Sequence, residues 1–498
     1  METLKEDDLS IIGQEPCLNL LLRVYIAFLR LGREFWSALL GFGPAFGTVL
    51  SLCGFISVAF AEGVDWMLLA GLPLAFVIAV PASLRLIGPP AVLPLIAGVL
   101  VGCRAAGGLY FGLRGERVAM SWSAERDRPD SLRGKGVWES GDAVVRVRSD
   151  GAIAYGLADG SVRWTHTLPG ARVVCAMSAG TGSGVGLIAH ADEDDPCESV
   201  TALDLATGEV LWRSKAFFYE GSTLEELSGV LAVEDGTAVL PVKKGLRGVD
   251  ARTRRVRWTL PAPRGCAFDA GHNGMALTKG RLAVTYRCAK DRGRIRIVEA
   301  ATGEEAWSAP LPTVGAVAEA EVLSADPAVL RVQERGERGG DRILIYRGED
   351  RRPAEIPVSG PEGTIDLDPL GRRFPLIPDP NVQVVGTTVY AKVVDEEGPD
   401  EDRLVAYGPD GAPRWSVSMG DYLRAFSAGP DGVTALYYEY QRGGNNGLLF
   451  TLDPGTGERR SRKVFPYNRD RSGLWMSARS GTVLLAAAEG PSPVAAYR

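Results

Sequence analysis

Histidine is almost missing from this chain, with three in 498 residues, and only nine of its 55 basic side chains are lysine. His166, His190 and His272 leave few possible members for a Ser-His-Asp triad. Of the seven cysteines no two are adjacent and no C-x-x-C occurs, so cysteine-based metal binding has no support. Neither a G-x-S-x-G elbow nor a phosphate-cradling GxxxxGK[ST] loop is found. An excess of positive charge is also lacking. The net charge is −6, which gives no electrostatic case for a nucleic-acid partner. The acidic runs Asp192–Asp195, Asp395–Glu397 and Asp400–Asp402 lack the spacing of an EF-hand loop and read as solvated inter-strand loops. What is present is globular: 46% hydrophobic and 23% charged residues exclude a disordered chain, and the 61 glycines follow no collagen period.

The apolar residues are unevenly spread. Residues 38–61 contain no charge over 24 positions, enough for a bilayer crossing at 1.5 Å rise per residue. Residues 66–86 form a second candidate span, and 91–112 a third that must accommodate Arg104 by snorkelling or by facing a partner helix. Residues 1–15 hold five acids and one lysine, so the start is not a cleavable signal peptide. Residues 18–36 place Arg23, Arg30 and Glu34 on one helical face, as in an amphipathic interfacial helix or a helical lead-in to the first span. Lys5, Arg23, Arg30 and Arg33 precede the first span while the loop 62–65 has no basic residue. The positive-inside rule then puts the N-terminus in the cytoplasm and, after three crossings, everything beyond residue 113 outside. Arg114 and Arg117 pull the other way and leave a two-span, cytoplasm-facing sensor as an alternative.

The polar part repeats. The segment Ala202-Leu-Asp204-Leu-Ala-Thr207-Gly208-Glu-Val-Leu-Trp212 recurs in degraded form before Trp164, Trp258, Trp307 and Trp415. Further copies end on Ala354 and Ser461 in place of tryptophan. From Trp122 the tryptophan spacings are 42, 48, 46 and 49 residues, then 108, or two periods plus an insertion. An apolar strand, a Thr-Gly or Asp-Gly turn and a Trp-bearing strand in a unit of this length fit one four-stranded propeller blade. Counting positions 122, 164, 212, 258, 307, 354, 415 and 461 gives eight blades, or seven if the 354 region is not one. The chain stops on Ala496-Tyr497, which matches Ala154-Tyr155 and Ala406-Tyr407 on the strand before each Trp strand. The last blade therefore lacks its outer strand, and residues 117–123 with Trp122 can supply it, closing the ring and removing an open edge.

The A-x-D-x-x-T-G-x-x-x-W pattern at Ala202, Asp204, Thr207, Gly208 and Trp212 resembles the PQQ-like β-propeller repeat, over about residues 117–498. With its apolar N-terminal region the chain is similar to actinobacterial membrane-anchored PQQ-like propeller proteins. The resemblance implies that Trp122, Trp164, Trp212, Trp258, Trp307 and Trp415 dock between neighbouring blades. It also raises a quinone-dependent oxidoreductase. Quinone-holding relatives commonly carry two adjacent cysteines and a calcium site. The missing cysteine pair argues against that activity, so no cofactor, metal or catalytic residue is expected.

Cys175 and Cys197, like Cys266 and Cys288, are 22 residues apart and fall on expected inner strands of a blade. Adjacent strands bring Cβ atoms within disulfide range, so two bridges are expected, and bridges persist in oxidising compartments. Tyr437, Tyr438 and Tyr440 read as a strand entering a hairpin turn at 441–447. The stretch 355–403 exceeds what a blade requires; with the acidic loop 395–402 it is the expected site of partner contact. The sequence thus reads as a cytoplasmic N-terminal segment (1–37), three membrane helices (38–113) and an all-β eight-bladed propeller (117–498) outside the cell membrane. Its expected role is a non-enzymatic binding or scaffolding module of the cell envelope. The expected partners are the bilayer, through the helices, and a protein, peptide or glycan on one propeller face.

Overall fold

A computed structural model describes residues 116–129, 132–192, 197, 199–216, 230–268, 274–336, 339–348, 352–367, 381–394, 402–418, 422–438, 446–466, 472–479, 481–489 and 492–498. The expected membrane spans at 38–61, 66–86 and 91–112, and the segment 1–37, lie outside these residues. No helix among the described residues is long and apolar enough to cross a membrane.

The described chain is an eight-bladed β-propeller. Blade 1 has strands at 134–140, 143–148, 151–156 and 162–167, and blade 2 at 172–177, 185–192, 199–204 and 210–215. Blade 3 follows at 232–234, 237–242, 245–250 and 256–261. Blade 4 has 281–288, 292–299 and 305–310, with an innermost strand in two pieces, 266–268 and 275–278, both paired with 281–288. Blade 5, at 317–325, 328–334, 341–346 and 354–357, contains the Ala354 copy of the repeat. Blade 6 comprises 388–394, 403–407 and 413–418. Its innermost strand is again split, into 363–365 and 382–385, and 359–360 adds a short hairpin arm. Blade 7 has 422–428, 433–438, 446–452 and 459–466, and blade 8 has 472–479, 482–489 and 494–497.

The fourth strand of blade 8 comes from the other end of the propeller. Residues 120–123 pair antiparallel with 494–497, with Trp122 opposite Ala496. The sequence assigns 117–123 to a single outer strand, but the structure splits this stretch. Residues 116–117 run parallel to the outer strand of blade 7, Glu116 beside Lys463 and Arg117 beside Val464. The chain then crosses to blade 8, where Ala119 and Arg498 exchange backbone hydrogen bonds of 2.8 and 2.9 Å. Val118, at the crossing, is buried with Phe465 and Tyr497. A buried apolar residue between two exposed ones is what a strap over an apolar seam requires.

The same register recurs in each blade. Trp164 stands opposite Ala154, Trp212 opposite Ala202, Trp258 opposite Gly248 and Trp415 opposite Ala406. A small residue faces the indole at these four positions, and a Cβ on Gly248 would stand 2.0 Å from the Trp258 ring; in blade 4 the larger Ile297 faces Trp307.

The two ends of the ring differ. Turns between first and second, and between third and fourth, strands lie at one end and never exceed seven residues, as at 178–184 and 347–353. The other end collects the longest intervals, such as the sixteen residues 216–231. The interruptions of the innermost strands, 269–274 in blade 4 and 366–381 in blade 6, begin within three residues of that loop end.

Candidate functional site

The blade seams account for the repeat. At five seams an indole N–H donates to a backbone carbonyl at the third-to-fourth-strand turn of the next blade. Trp122 reaches Leu157 O at 2.9 Å, Trp164 Leu205 O at 3.0 Å and Trp212 Ala251 O at 2.7 Å. Trp258 reaches Ala300 O at 2.8 Å and Trp415 Pro454 O at 3.1 Å. Trp307 packs its ring against Tyr346 of blade 5, centroids 5.2 Å apart. Asp204 shapes its turn by accepting from the Ala206 N–H at 2.9 Å, and the Thr207 hydroxyl accepts from the Glu209 N–H at 3.2 Å. In blade 3 the equivalent Asp250 also accepts from Arg257 at 2.8 Å, and this guanidinium, with the Thr253 donors, holds the carboxyl well below the ordinary carboxylate range. These contacts are architectural.

Both cysteine pairs are bridged. Cys266 and Cys288 sit directly opposite each other on the first and second strands of blade 4. Cys175 is on the first strand of blade 2, whereas Cys197 lies in the connection between the second and third strands rather than on an inner strand. Cys197 meets strand 172–177 at Cys175, in the register break between Val174 and Ala176.

The stretch expected to contact a partner is only partly a loop. Residues 359–365 form the added hairpin of blade 6, and 367–380 depart from a tied point. Asp366 N–H donates to Lys392 O and Lys392 N–H to Asn381 O, both at 2.9 Å, while Asn381 Nδ2 donates to Asp366 O at 3.1 Å. The Lys392 ammonium lies 3.0 Å from Asp366 and 3.2 Å from Asp402. Asp402 also accepts from the Leu423 N–H of blade 7 at 2.8 Å. Burial pushes the Asp402 carboxyl above its ordinary value, against the opposing pull of Lys392. Asp366 and Asp402, which adjoin the intervals 368–380 and 395–401 outside the described residues, thus share one ammonium. Nothing in the sequence pattern marks Lys392 as the centre of this trio, because its partners are 26 residues before it and ten after.

Tyr437 and Tyr438 are buried in the blade 7 core, where burial pushes the Tyr437 phenol far above its ordinary value. Tyr440 lies outside the described residues. A central cavity of about 860 Å³ opens among the innermost strands, lined in part by Glu139, Met275, Gln383 and Trp475. Glu139 is held there by Arg479 at 3.2 Å. Among the described residues no group of three or more His, Cys, Asp or Glu side chains could hold a metal ion.

Residues 176–351 match the family model described as outer membrane protein assembly factor BamB. Over those residues the repeats match a PQQ-type propeller family model. Solved structures similar to the ring include BamB from Moraxella catarrhalis, 14% identical, covering 76% of this chain and 97% of that one at a TM-score of 0.42. A europium-containing methanol dehydrogenase is 12% identical over 75% of this chain and 85% of its own, at 0.42. Sqt1 from Saccharomyces cerevisiae is 10% identical over 77% and 98%, at 0.43. No curated protein sequence matches the chain.

Proposed function

We propose that this protein is a membrane-anchored, extracytoplasmic propeller that binds another protein without catalysing a reaction. The observation that carries the reading is the shared base of the two loops, Asp366, Lys392 and Asp402, at the end of the ring where the long intervals gather. A rigid scaffold that fixes the roots of two adjacent long loops is the usual physical arrangement for recognition. The family description over residues 176–351 names an assembly factor, which favours a protein over a small molecule as partner. The apolar stretches 38–61, 66–86 and 91–112 supply the anchor, and two disulfides favour an oxidising compartment.

The test is in-cell crosslinking with a photoreactive residue at 372 or 398, combined with deletion of 368–379. A discrete crosslinked protein that disappears when the base is broken by Lys392→Met supports the reading. Crosslinking only to lipid or to nothing overturns the docking face. An impermeant maleimide given to intact cells before and after reduction reports the side of the membrane. Labelling of Cys175 and Cys197 only after reduction places the propeller outside, and no labelling until lysis places it in the cytoplasm. The non-enzymatic part fails if pyrroloquinoline quinone with calcium raises the melting temperature and dye-linked dehydrogenase activity follows.

A further inference from the structure

We propose that the Cys266–Cys288 bridge is a thiol–disulfide exchange site whose reactant is an anionic thiol, whereas the Cys175–Cys197 bridge only holds structure. The proposal does not rest on the loop-face reading, because neither the long loops nor their shared base takes part.

The two bridges have the same span of 22 residues and opposite surroundings. Cys175 is 4% exposed and Cys197 5%, within a core cluster that includes Val200 and Trp212. In the sequence Cys197 stands between the acids Asp192–Asp195 and Glu198. Burial keeps a thiol away from these sulfurs, and neighbouring acids disfavour a thiolate whether it attacks or leaves. Cys266 and Cys288 are partly exposed.

Blade 4 surrounds its bridge with cations. Cys266 pairs with Cys288, and Cys288 with Arg292, so the three stand in one row across the first three strands. Opposed residues share a face, with Cβ atoms about 4.5–5.5 Å apart, which makes Arg292 the lateral neighbour of Cys288. Arg294, opposite Tyr286, follows on the same face. The Ala289 N–H donates to Gly265 O at 2.9 Å, which draws the turn bearing Lys290 onto the connection bearing Arg264. Arg264, Lys290 and Arg292 are exposed, and none of them is ion-paired among the described residues. From 264 to 294 the sequence has seven basic residues against two acids, Asp269 and Asp291, on a chain whose net charge is −6.

These cations act twice. They gather a thiolate carried by an anionic molecule, and they stabilise the thiolate that leaves. The incoming sulfur bonds to Cys266 Sγ, the bridge breaks, and its electron pair departs on Cys288 Sγ beside Arg292. A second thiol then displaces Cys266 from the mixed disulfide. Two thiols become one disulfide, and the two electrons and two protons they give up leave Cys266 and Cys288 as thiols. The bridge pins the loop-end piece of the innermost strand, 266–268, which three residue pairs hold to 281–288. Exchange therefore loosens 266–268 first.

The test treats the full chain in detergent, without denaturant, with 2-mercaptoethanesulfonate (an anionic thiol) or cysteamine (a cationic one). N-ethylmaleimide stops the reaction, and peptide masses report which cysteines have opened. The anionic thiol should open Cys266–Cys288 at least tenfold faster than Cys175–Cys197. Lys290→Glu with Arg292→Glu should slow that opening at least fivefold more than it slows opening by cysteamine. If the double variant does not fold, salt replaces it: raising ionic strength from about 20 to about 500 mM should slow the anionic thiol more than cysteamine on the parent chain. Equal rates at the two bridges, faster opening of Cys175–Cys197, or the same response of both thiols to charge reversal or to salt overturns the site.

Discussion

Trp164 lies over the backbone of Gly208, in the next blade, so closely that a Cβ on the glycine would stand 2.6 Å from the indole ring. The same contact joins Trp122 to Gly160, Trp258 to Gly303 and Trp415 to Gly457. The conserved spacing within one repeat is thus a consequence of contacts between repeats. The glycine receives the previous blade's tryptophan, and the blade's own tryptophan docks on the following one.

Gly208→Ala should therefore cost more than its backbone angle alone predicts. Gly208 has φ of +77°, and Gly170, at +72° with nothing within 4 Å, provides the control. Gly170→Ala should lose about 1 kcal/mol, the cost of a left-handed non-glycine residue. Gly208→Ala adds displacement of the Trp164 ring and should lose about 2–4 kcal/mol. Denaturant unfolding of the two variants in parallel measures the difference, and equal losses would mean that the indole moves freely.

Each disulfide closes 22 residues. By loop-closure entropy a bridge of that span stabilises by about 3 kcal/mol. Cys175→Ser with Cys197→Ser, and Cys266→Ser with Cys288→Ser, should each lower stability by roughly that amount, and a reducing agent should reproduce both losses in the parent chain and neither in the quadruple variant. Thermal melts with and without reductant check this.

His190 gives the ring a pH dependence. It is buried in blade 2, its Nε2 2.9 Å from the Thr201 hydroxyl. Burial, followed by the charges of Arg172 and Arg213 and by His166, pulls its pKa from 6.5 down to about 4, with Asp192 opposing. The unfolded chain binds the proton more readily, so this contribution is full above about pH 6.5 and is lost as the pH falls towards about 4. The loss should be about 1–3 kcal/mol. His190→Gln, which keeps a polar group near Thr201, should flatten the stability profile between those pH values while leaving the profile above pH 7 parallel to that of the parent.

Much of the ring was legible because its signals are periodic. Tryptophan spacing and the Ala-Tyr pair at 496–497 both repeat; they point to the source of the last strand and to eight blades or seven, and the structure decides for eight by making the Ala354 copy a blade of its own. What the sequence does not reveal is what occurs once. Arg347 stands in for an indole at the blade 5–6 seam, and no repeat marks it. Residues 116–119 bridge two blades instead of extending one strand, with Val118 buried in the cluster that holds Phe465 and Tyr497. The insertion after residue 360 reads as one long loop, but its first part pairs with Val393 and Val394, a contact set by register rather than composition.

The closure between blades 8 and 1 gives the last prediction. Arg146, 1% exposed, donates to Ala487 O and Ala488 O of blade 8 at 3.1 Å each and is paired with buried Asp127. Asp127 follows the strand 120–123 that the N-terminal side contributes, and Arg148 holds its other oxygen at 3.1 Å. One guanidinium therefore ties together blade 1, blade 8 and the segment that completes the ring. Arg146→Met leaves Asp127 with Arg148 alone and orphans two buried carbonyls, so it should cost about 3–5 kcal/mol. It should also open the ring locally: hydrogen-exchange protection should fall first in 120–123 and 494–497, not uniformly. Asp127→Asn, which leaves the buried Arg146 guanidinium without a counter-charge, should cost at least as much. If exchange rises equally in all eight blades, the ring unfolds as one unit and Arg146 is not its latch.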